Sequence, residues 1–546
     1  MEKKYSLRTI LTPFLIAVAI VVGILIGKYF KNSEKENIFY IYPRADKLNN
    51  VINYIEGKYV DSIDRDKLIE TAIPKIVSEL DPHSEYIPAS ELKAVNEPLE
   101  GNFSGIGVQF NMLNDTLVVL KTITNGPSEK VGVLAGDRIL VVNRDTVAGK
   151  KMPSDSIVSR LKGPRGTEVT IGVLRKSVKD LLNFNIIRDN IPLYSLDAAY
   201  IIRPGIGYIK LNKFSRTTFE EFSNGVIKLT QQGMTKLILD LRGNGGGYLD
   251  AAVHIADQFL EQGKLIVYTV GRADPRHEYR ASKGGLCQQV ELEVLIDEGT
   301  ASASEIFAGA MQDNDRGNII GRRSFGKGLV QDQHVFSDGS ALRLTIARYY
   351  TPTGRCIQKP YKKGDEEDYY MELSNRYLHG EMNQRDSIKF NDSLKYTTPG
   401  GKIVYGGGGI MPDIFVPIDT AGITKYLINV RNHGLIYRFA LEYTENNRNE
   451  LKKLTNVATF ETFLEKKKVF TQFIGFATKN GVAAKPKEIE ISGEILKTQL
   501  YASIIRNILD NEGFYPAIEP IDNTLLKAID VLTNNTPLVK TGIEGK

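Results

Sequence analysis

The spacing of apolar residues along the chain changes character several times, and each change marks a region. Ile10 to Ile26 is a nearly unbroken apolar run, preceded by Lys3, Lys4 and Arg8 and ended by Lys28. At about 1.5 Å per residue it spans roughly 25 Å, slightly short of a bilayer core, and Leu7, Tyr29 and Phe30 can extend it. The Ala-x-Ala of this region, Ala17 to Ala19, lies inside the run instead of after it. Residues 1–30 are therefore expected to be an uncleaved signal anchor, a single transmembrane helix with the rest of the chain exported. Residues 31–100 carry helical spacing in Leu48, Val51, Ile52, Ile55 and again in Leu68, Ile73, Ile76, Val77, closing at Leu80-Asp81-Pro82-His83-Ser84, where Asp-Pro stops a helix.

From residue 101 to 188 the pattern turns to short alternating runs split by glycine, such as Gly105-Ile106-Gly107-Val108 and Leu117-Val118-Val119-Leu120, which predicts a compact β-rich module. Over 189–420 strands alternate with helices. Gly207–Leu211 reads as a strand and Phe219–Gln232 as a helix. Lys236–Leu241 is a near-continuous apolar strand suited to a sheet covered on both faces. The turn Arg242-Gly243-Asn244-Gly245-Gly246-Gly247 then leads into a helix from Leu249. Residues 361–406, acidic and then Gly-rich, read as an inserted loop within this region. Residues 421–546 have helical patterns of unknown role; neither segment is expected to touch the motifs described below, though both could change oligomerisation or access.

Composition narrows the classes. Hydrophobic residues are 42% and charged residues 25%, so a disordered chain and a multi-pass membrane protein are both excluded. A net charge of +5 spread over 546 residues, with no basic stripe, argues against a nucleic-acid partner. Cys287 and Cys356 have no Cys-x-x-Cys spacing, and the six histidines form no His-Glu-x-x-His, so neither a metal nor another cofactor is expected.

Three fragments could carry chemistry. Thr300-Ala301-Ser302-Ala303-Ser304-Glu305 joins a strand to a helix whose apolar face is Ile306, Phe307, Ala310 and Met311. Ser302-x-x-Glu305 is a capping box, and the same hydroxyl stands where free amides favour a nucleophile and its oxyanion. Twenty-five residues later, Lys327 sits between Gly326 and Gly328. A solvated lysine is neutral only about once in 2,500 molecules at pH 7, a penalty of roughly 4.6 kcal/mol that burial must remove for it to act as a base. Gln331, four residues on, would lie about 13 Å away in a straight strand, so the chain must bend if Gln331 orients the amine. The Gly243–Gly247 turn lacks a following Gly-Lys-Ser/Thr and fails as a phosphate cradle; its amides suit an oxyanion, with Gly246 or Gly247 and Ala303 as candidate donors.

Taken together, Leu80-Asp81-Pro82-His83-Ser84, Gly105-Ile106-Gly107-Val108, Leu239-Asp240-Leu241-Arg242-Gly243-Asn244, Ser302-Ala303-Ser304-Glu305-Ile306 and Phe325-Gly326-Lys327-Gly328 resemble the C-terminal processing (tail-specific) serine peptidases with a Ser/Lys pair. The resemblance covers roughly 45–360 and resumes at Gly409-Ile410-Met411-Pro412-Asp413. It implies an α/β multidomain protein: a crotonase/ClpP-like αβ protease core (189–420) with an inserted PDZ domain (101–188), a helical N-terminal region (31–100), the anchor (1–30) and the C-terminal helices (421–546). It also implies Ser302 as nucleophile, Lys327 as base and Gln331 as its orienting partner, acting through an acyl-enzyme. The oxyanion would lie between Ala303 and Gly246 or Gly247. Gly105, Ile106, Gly107 and Val108 would hold the substrate's terminal carboxylate. The expected partners are proteins or peptides with free, apolar C-termini and, through the anchor, the inner membrane, with the catalytic domain periplasmic; a homo-oligomer is left open. Two alternatives are a membrane-tethered PDZ scaffold with an inactive protease-like domain, and a Ser-His-Asp hydrolase using His254, His277 or His334.

Overall fold

The computed structural model describes residues 17, 18, 20–22, 46–113, 115–176, 178–388 and 391–534. The anchor expected over 1–30 lies outside these residues except for Ala17, Val18 and Ile20 to Val22, which are helical. Among the described residues no helix is long and apolar enough to cross a membrane. The chain divides into two units, Met1–Ala72 and Ile73–Lys546. In the first, the helix Asp46–Lys58 is tied to the next helix by Arg65, which donates to Asn53 Oδ1 and Glu56 Oε2.

In the second unit, the strands Val108–Leu113, Thr116–Thr122, Arg138–Val142, Glu168–Leu174 and Leu182–Ile187 pair antiparallel in sequence order. Alternating side chains send Leu117, Val119, Ile139, Val169, Ile171 and Val173 to one core, sealed by Ile157 and Leu161 of the helix Ser154–Leu161. Val108–Leu113 is the first strand of this sheet, so its outer edge has no partner strand among the described residues.

A six-stranded sheet runs Leu196–Arg203, Ile206–Leu211, Lys236–Asp240, Glu291–Ile296, Asn318–Gly321, Ile414–Phe415; its first pair is antiparallel and the rest are parallel. Leu237 and Leu239 point to the helices Thr218–Gln231, Leu249–Asp257 and Ala303–Asp313. Ile238 points the other way, to Leu525, Ala528, Ile529 and Leu532 of the helix Asn523–Thr533. Both faces are therefore dry, which is why Lys236–Leu241 reads as a continuous apolar run. Each such Leu or Ile, fully buried, contributes about 1.5–3 kcal/mol.

The remaining C-terminal helices form their own core around Leu427, Phe439, Phe460, Phe473 and Leu500, and Leu441 packs on Leu113 and Val118 of the β module. The expectation that 361–406 and 421–546 stay clear of the motifs is overturned. The first segment contains a helix, Glu366–Leu378, and a hairpin, Lys395–Thr397 with Ile403–Tyr405. The last described helix, Asn523–Thr533, forms one layer of the core, and its capping residue Asp522 makes a two-point ion pair with Arg242. A helical patch with no chemistry of its own gives no sign in sequence of the sheet face it covers.

Candidate active site

The strand Glu291–Ile296 ends in a turn that its own polar atoms fasten to the glycine turn. Thr300 Oγ1 donates to the Leu241 carbonyl at 2.9 Å, Gly243 N to Asp297 Oδ1 at 2.8 Å, and Ala301 N to the Asn244 carbonyl at 3.0 Å. Ser304 Oγ is buried and donates to the same Asn244 carbonyl, so its hydroxyl is committed to structure. Ser302 differs. It stands at φ 55°, ψ −117°, a left-handed conformation costly for a non-glycine residue, and it lines a cleft of about 590 Å³.

Glu305 fixes that serine and the lysine turn together. Its buried carboxylate accepts from Ser302 N (2.8 Å), Lys327 N (2.9 Å), Gly326 N (2.7 Å) and Ser324 Oγ. Burial pushes its pKa up to about 7 against the pull of these four donors. Sequence reasoning saw Glu305 only as a helix cap.

Lys327 and Gln331 are in contact: Lys327 Nζ donates to Gln331 Oε1 at 2.9 Å. The bend this needs is an irregularity between Val330 and Gln331 in the pairing of Leu329–Val335 with Ala341–Tyr350. Gln331 Nε2 in turn donates to the His83 carbonyl. The Asp-Pro-His-Ser turn presents that carbonyl because Asp81 accepts from His83 N, Ser84 N, Ser84 Oγ and Thr345 Oγ1. Burial draws the Lys327 ammonium below its usual range, and the nearby Arg343 guanidinium adds to this, against Glu85, Asp81 and Glu305. His83 is lowered to about 4, chiefly by burial and then by Lys327.

Tyr349 Oη donates to the Lys327 carbonyl at 2.6 Å and lies 3.2 Å from the Ser302 carbonyl, bridging the serine turn and the lysine turn. The segment read as an insert reaches the site too. Tyr369 Oη is 2.9 Å from His83 Nε2, and Arg376 donates to the Ser324 and Arg323 carbonyls. These long-range contacts carry no local sequence signal.

On the other wall of the cleft, Gly246 and Gly247 adjoin Ser302. A Cβ on Gly246 would lie 2.8 Å from both Ser302 Cβ and Ala303 N, and one on Gly247 would lie 2.0 Å from the Phe214 carbonyl oxygen. Only glycine fits at either place. The Gly246 N–H is donated to Asn244 Oδ1 at 2.9 Å. Among the described residues the Gly247 and Ala303 N–H groups have no acceptor, the latter because Ala303 opens its helix. Of the alternatives expected, Gly246 is thus already engaged. His254, His277 and His334 do not line the cleft.

Gly105, Ile106, Gly107 and Val108 form a separate group at the start of the open-edged strand, and none lines the Ser302 cleft. Gly107 has φ 73°, Ile106 is buried in the module's core, and the Ile106 carbonyl accepts from Ser128 N and Oγ.

An αβ core holding a strained serine at a helix start, a desolvated lysine in the same cleft and a separate open-edged β module define a serine-type peptidase with a PDZ domain. Comparison with known proteins agrees. Residues 205–370 match peptidase family S41, 104–186 match the PDZ domain, and 426–510 match a family of unknown function. The carboxy-terminal-processing protease of Bartonella bacilliformis is 36% identical over 321 residues, 58% of this chain and 73% of that one. A probable CtpA-like serine protease of Staphylococcus epidermidis is 36% identical over 343 residues, covering 62% and 68%. Among solved structures, the photosystem II D1 C-terminal processing protease is 30% identical, covering 57% of this chain and 89% of that one, with a TM-score of 0.32. The chain belongs to the carboxy-terminal-processing serine proteases of family S41. That membership disfavours the inactive-scaffold alternative.

Proposed function

We propose that the chain takes proteins by their C-termini through the PDZ domain and hydrolyses them by a Ser/Lys mechanism. The observation that carries this reading is the Lys327 amine, desolvated and tethered to Gln331, in one cleft with the strained Ser302. Neutral Lys327 accepts the Ser302 hydroxyl proton as the oxygen bonds to the scissile carbonyl, and returns it to the departing amine as the C–N bond breaks. Water, deprotonated by the same amine, then attacks the acyl carbon, and the Lys327 ammonium returns that proton to Ser302 Oγ as the ester bond breaks. The Ala303 and Gly247 amides, with no other acceptor among the described residues, hold the tetrahedral oxyanion, a contribution of about 2.7–4 kcal/mol per donor in comparable sites.

A substrate tail adds antiparallel to the open edge of Val108–Leu113, with its carboxylate at Gly105–Val108. Val108, Phe110 and Met112 pack against the module's core beside Ile157 and Leu161, which favours apolar last residues. The apolar run at Ile10–Ile26 supports attachment to the inner membrane with the catalytic domain outside the cytoplasm.

The test compares Ser302→Ala and Lys327→Ala with the parent on one unstructured, apolar-tailed protein carrying a free or an amidated C-terminus. Both variants should fold and fail to cleave, and the parent should prefer the free tail. A Lys327→Ala enzyme as active as the parent refutes the mechanism, and equal rates on both tails refute tail capture.

A further inference from the structure

A second cavity, of about 770 Å³, lies between the peptidase core and the 361–406 segment. It is of ligand-pocket size. Among the described residues, four cationic side chains, Arg323, Arg348, Lys359 and Lys363, line it, and no carboxylate does. Two of the four are neutralised by residues outside the lining: Arg323 pairs with Glu381, and Lys359 with Glu372 at 3.0 Å. Arg348 and Lys363 are exposed and have no ion-pair partner among the described residues. The wall also carries an aromatic and apolar part, Tyr350, Tyr361 and Tyr396 beside Ile388, Leu394 and Met411.

One wall is shared with the turn that carries Lys327. Gln358 Oε1 accepts from Gly328 N at 2.8 Å, and Lys359 N donates to the Gly326 carbonyl at 2.9 Å. On the far side of the same segment, Gly407 N and Gly409 N donate to the Cys356 and Ile357 carbonyls, each at 2.8 Å. The 361–406 segment contributes Tyr361, Lys363, Ile388, Leu394 and Tyr396, so it creates the cavity as well as buttressing the lysine turn.

We propose that this cavity, distinct from the Ser302 cleft, binds a small organic anion with a flat apolar body: Arg348 and Lys363 meet the charge, and the tyrosine-lined wall takes the ring. Cations without an ion-pair partner, in a wall shared with aromatic side chains and with no carboxylate among its described residues, attract that combination and leave a neutral ring without its charge contact.

Cys356 lines the cavity and is half-buried, whereas Cys287 is wholly buried, so one thiol reports occupancy. The experiment follows its reaction with dithiodipyridine, a neutral disulfide whose attack by the thiol gives a mixed disulfide and releases thiopyridone. The full chain is used, with naphthalene sulfonate or naphthyl methanol added. The sulfonate should slow the reaction saturably, by about fivefold or more, while the alcohol changes it by less than about twofold. Protection should vanish in Arg348→Glu/Lys363→Glu, and in Lys363→Glu alone it should need more sulfonate. Equal protection by both compounds, none by either, or protection that survives charge reversal would overturn the proposal; the first two results need no variant.

Discussion

Glu305→Gln separates two forces that meet at one carboxyl. Oε1 receives Gly326 N and Ser324 Oγ, and Oε2 receives Ser302 N and Lys327 N. A glutamine amide keeps one acceptor, so whichever way it turns, its NH2 faces a pair of donors. Bonds to a charged acceptor contribute about 1.5–3 kcal/mol each, so losing two costs roughly 3–6 kcal/mol. Against that, burial raises the Glu305 pKa from 4.5 to about 7, and holding the charge at pH 8 costs the parent up to about 3 kcal/mol that glutamine avoids. The net loss of stability at pH 8 is therefore only about 0–3 kcal/mol. The turn holding Ser302 and Lys327 nevertheless loses its shared anchor, and displacements of about 1 Å between reacting groups can cost 10²-fold.

The expected signature at pH 8 is a modest fall in melting temperature with kcat/KM on an unstructured protein lower by about 10²-fold. The pH dependence has a definite sign. The folded parent binds a proton at Glu305 between pH 4.5 and 7 that the unfolded chain does not. Its stability relative to the variant must therefore rise as pH falls through that window. A variant with parental kcat/KM, or a stability gap that narrows on acidification, would refute the account of Glu305 as the tie between serine and lysine.

Three further outcomes follow from the same geometry. If Lys327 must be neutral, Arg343→Gln should move the acid limb of the kcat/KM profile to higher pH and Glu85→Gln should move it lower, because the first raises and the second lowers the Lys327 pKa; unmoved limbs would separate the rate from this amine. Gly247→Ala should abolish cleavage and lower the melting temperature, since its Cβ meets a carbonyl oxygen, whereas Gly245→Ala, with nothing within 4 Å, should be tolerated; equal behaviour of the two would contradict the described turn. Glu293 is buried with Oε2 unpartnered among the described residues and its pKa pushed up to about 8, so Glu293→Gln should stabilise the protein by up to about 4–5 kcal/mol at pH 8 and progressively less toward pH 5, as read by denaturant unfolding.

What the sequence determined by itself was chemistry carried on short, contiguous stretches. A serine at a strand-to-helix turn, a lysine between glycines and a turn of glycines can be read locally because each depends on its own backbone. The need for a bend between Lys327 and Gln331 could also be stated from chain geometry alone, although the irregularity that supplies it exists only where two strands pair.

Tertiary structure decided everything that depends on what lies opposite. It committed Ser304 Oγ and Gly246 N to Asn244, and it joined Ser302 to Lys327 through one carboxylate. It also carried the His83 carbonyl to Gln331 across 248 positions of chain. The segments 361–406 and 421–546 were opaque for the same reason. Their apolar and charged residues obey ordinary helical spacing, and that spacing says which side of a helix is buried but not against what. Only the folded sheet, with one face left for Leu525 and Ile529 and a lysine turn left for Arg376 and Tyr369 to brace, supplies the other half of each contact.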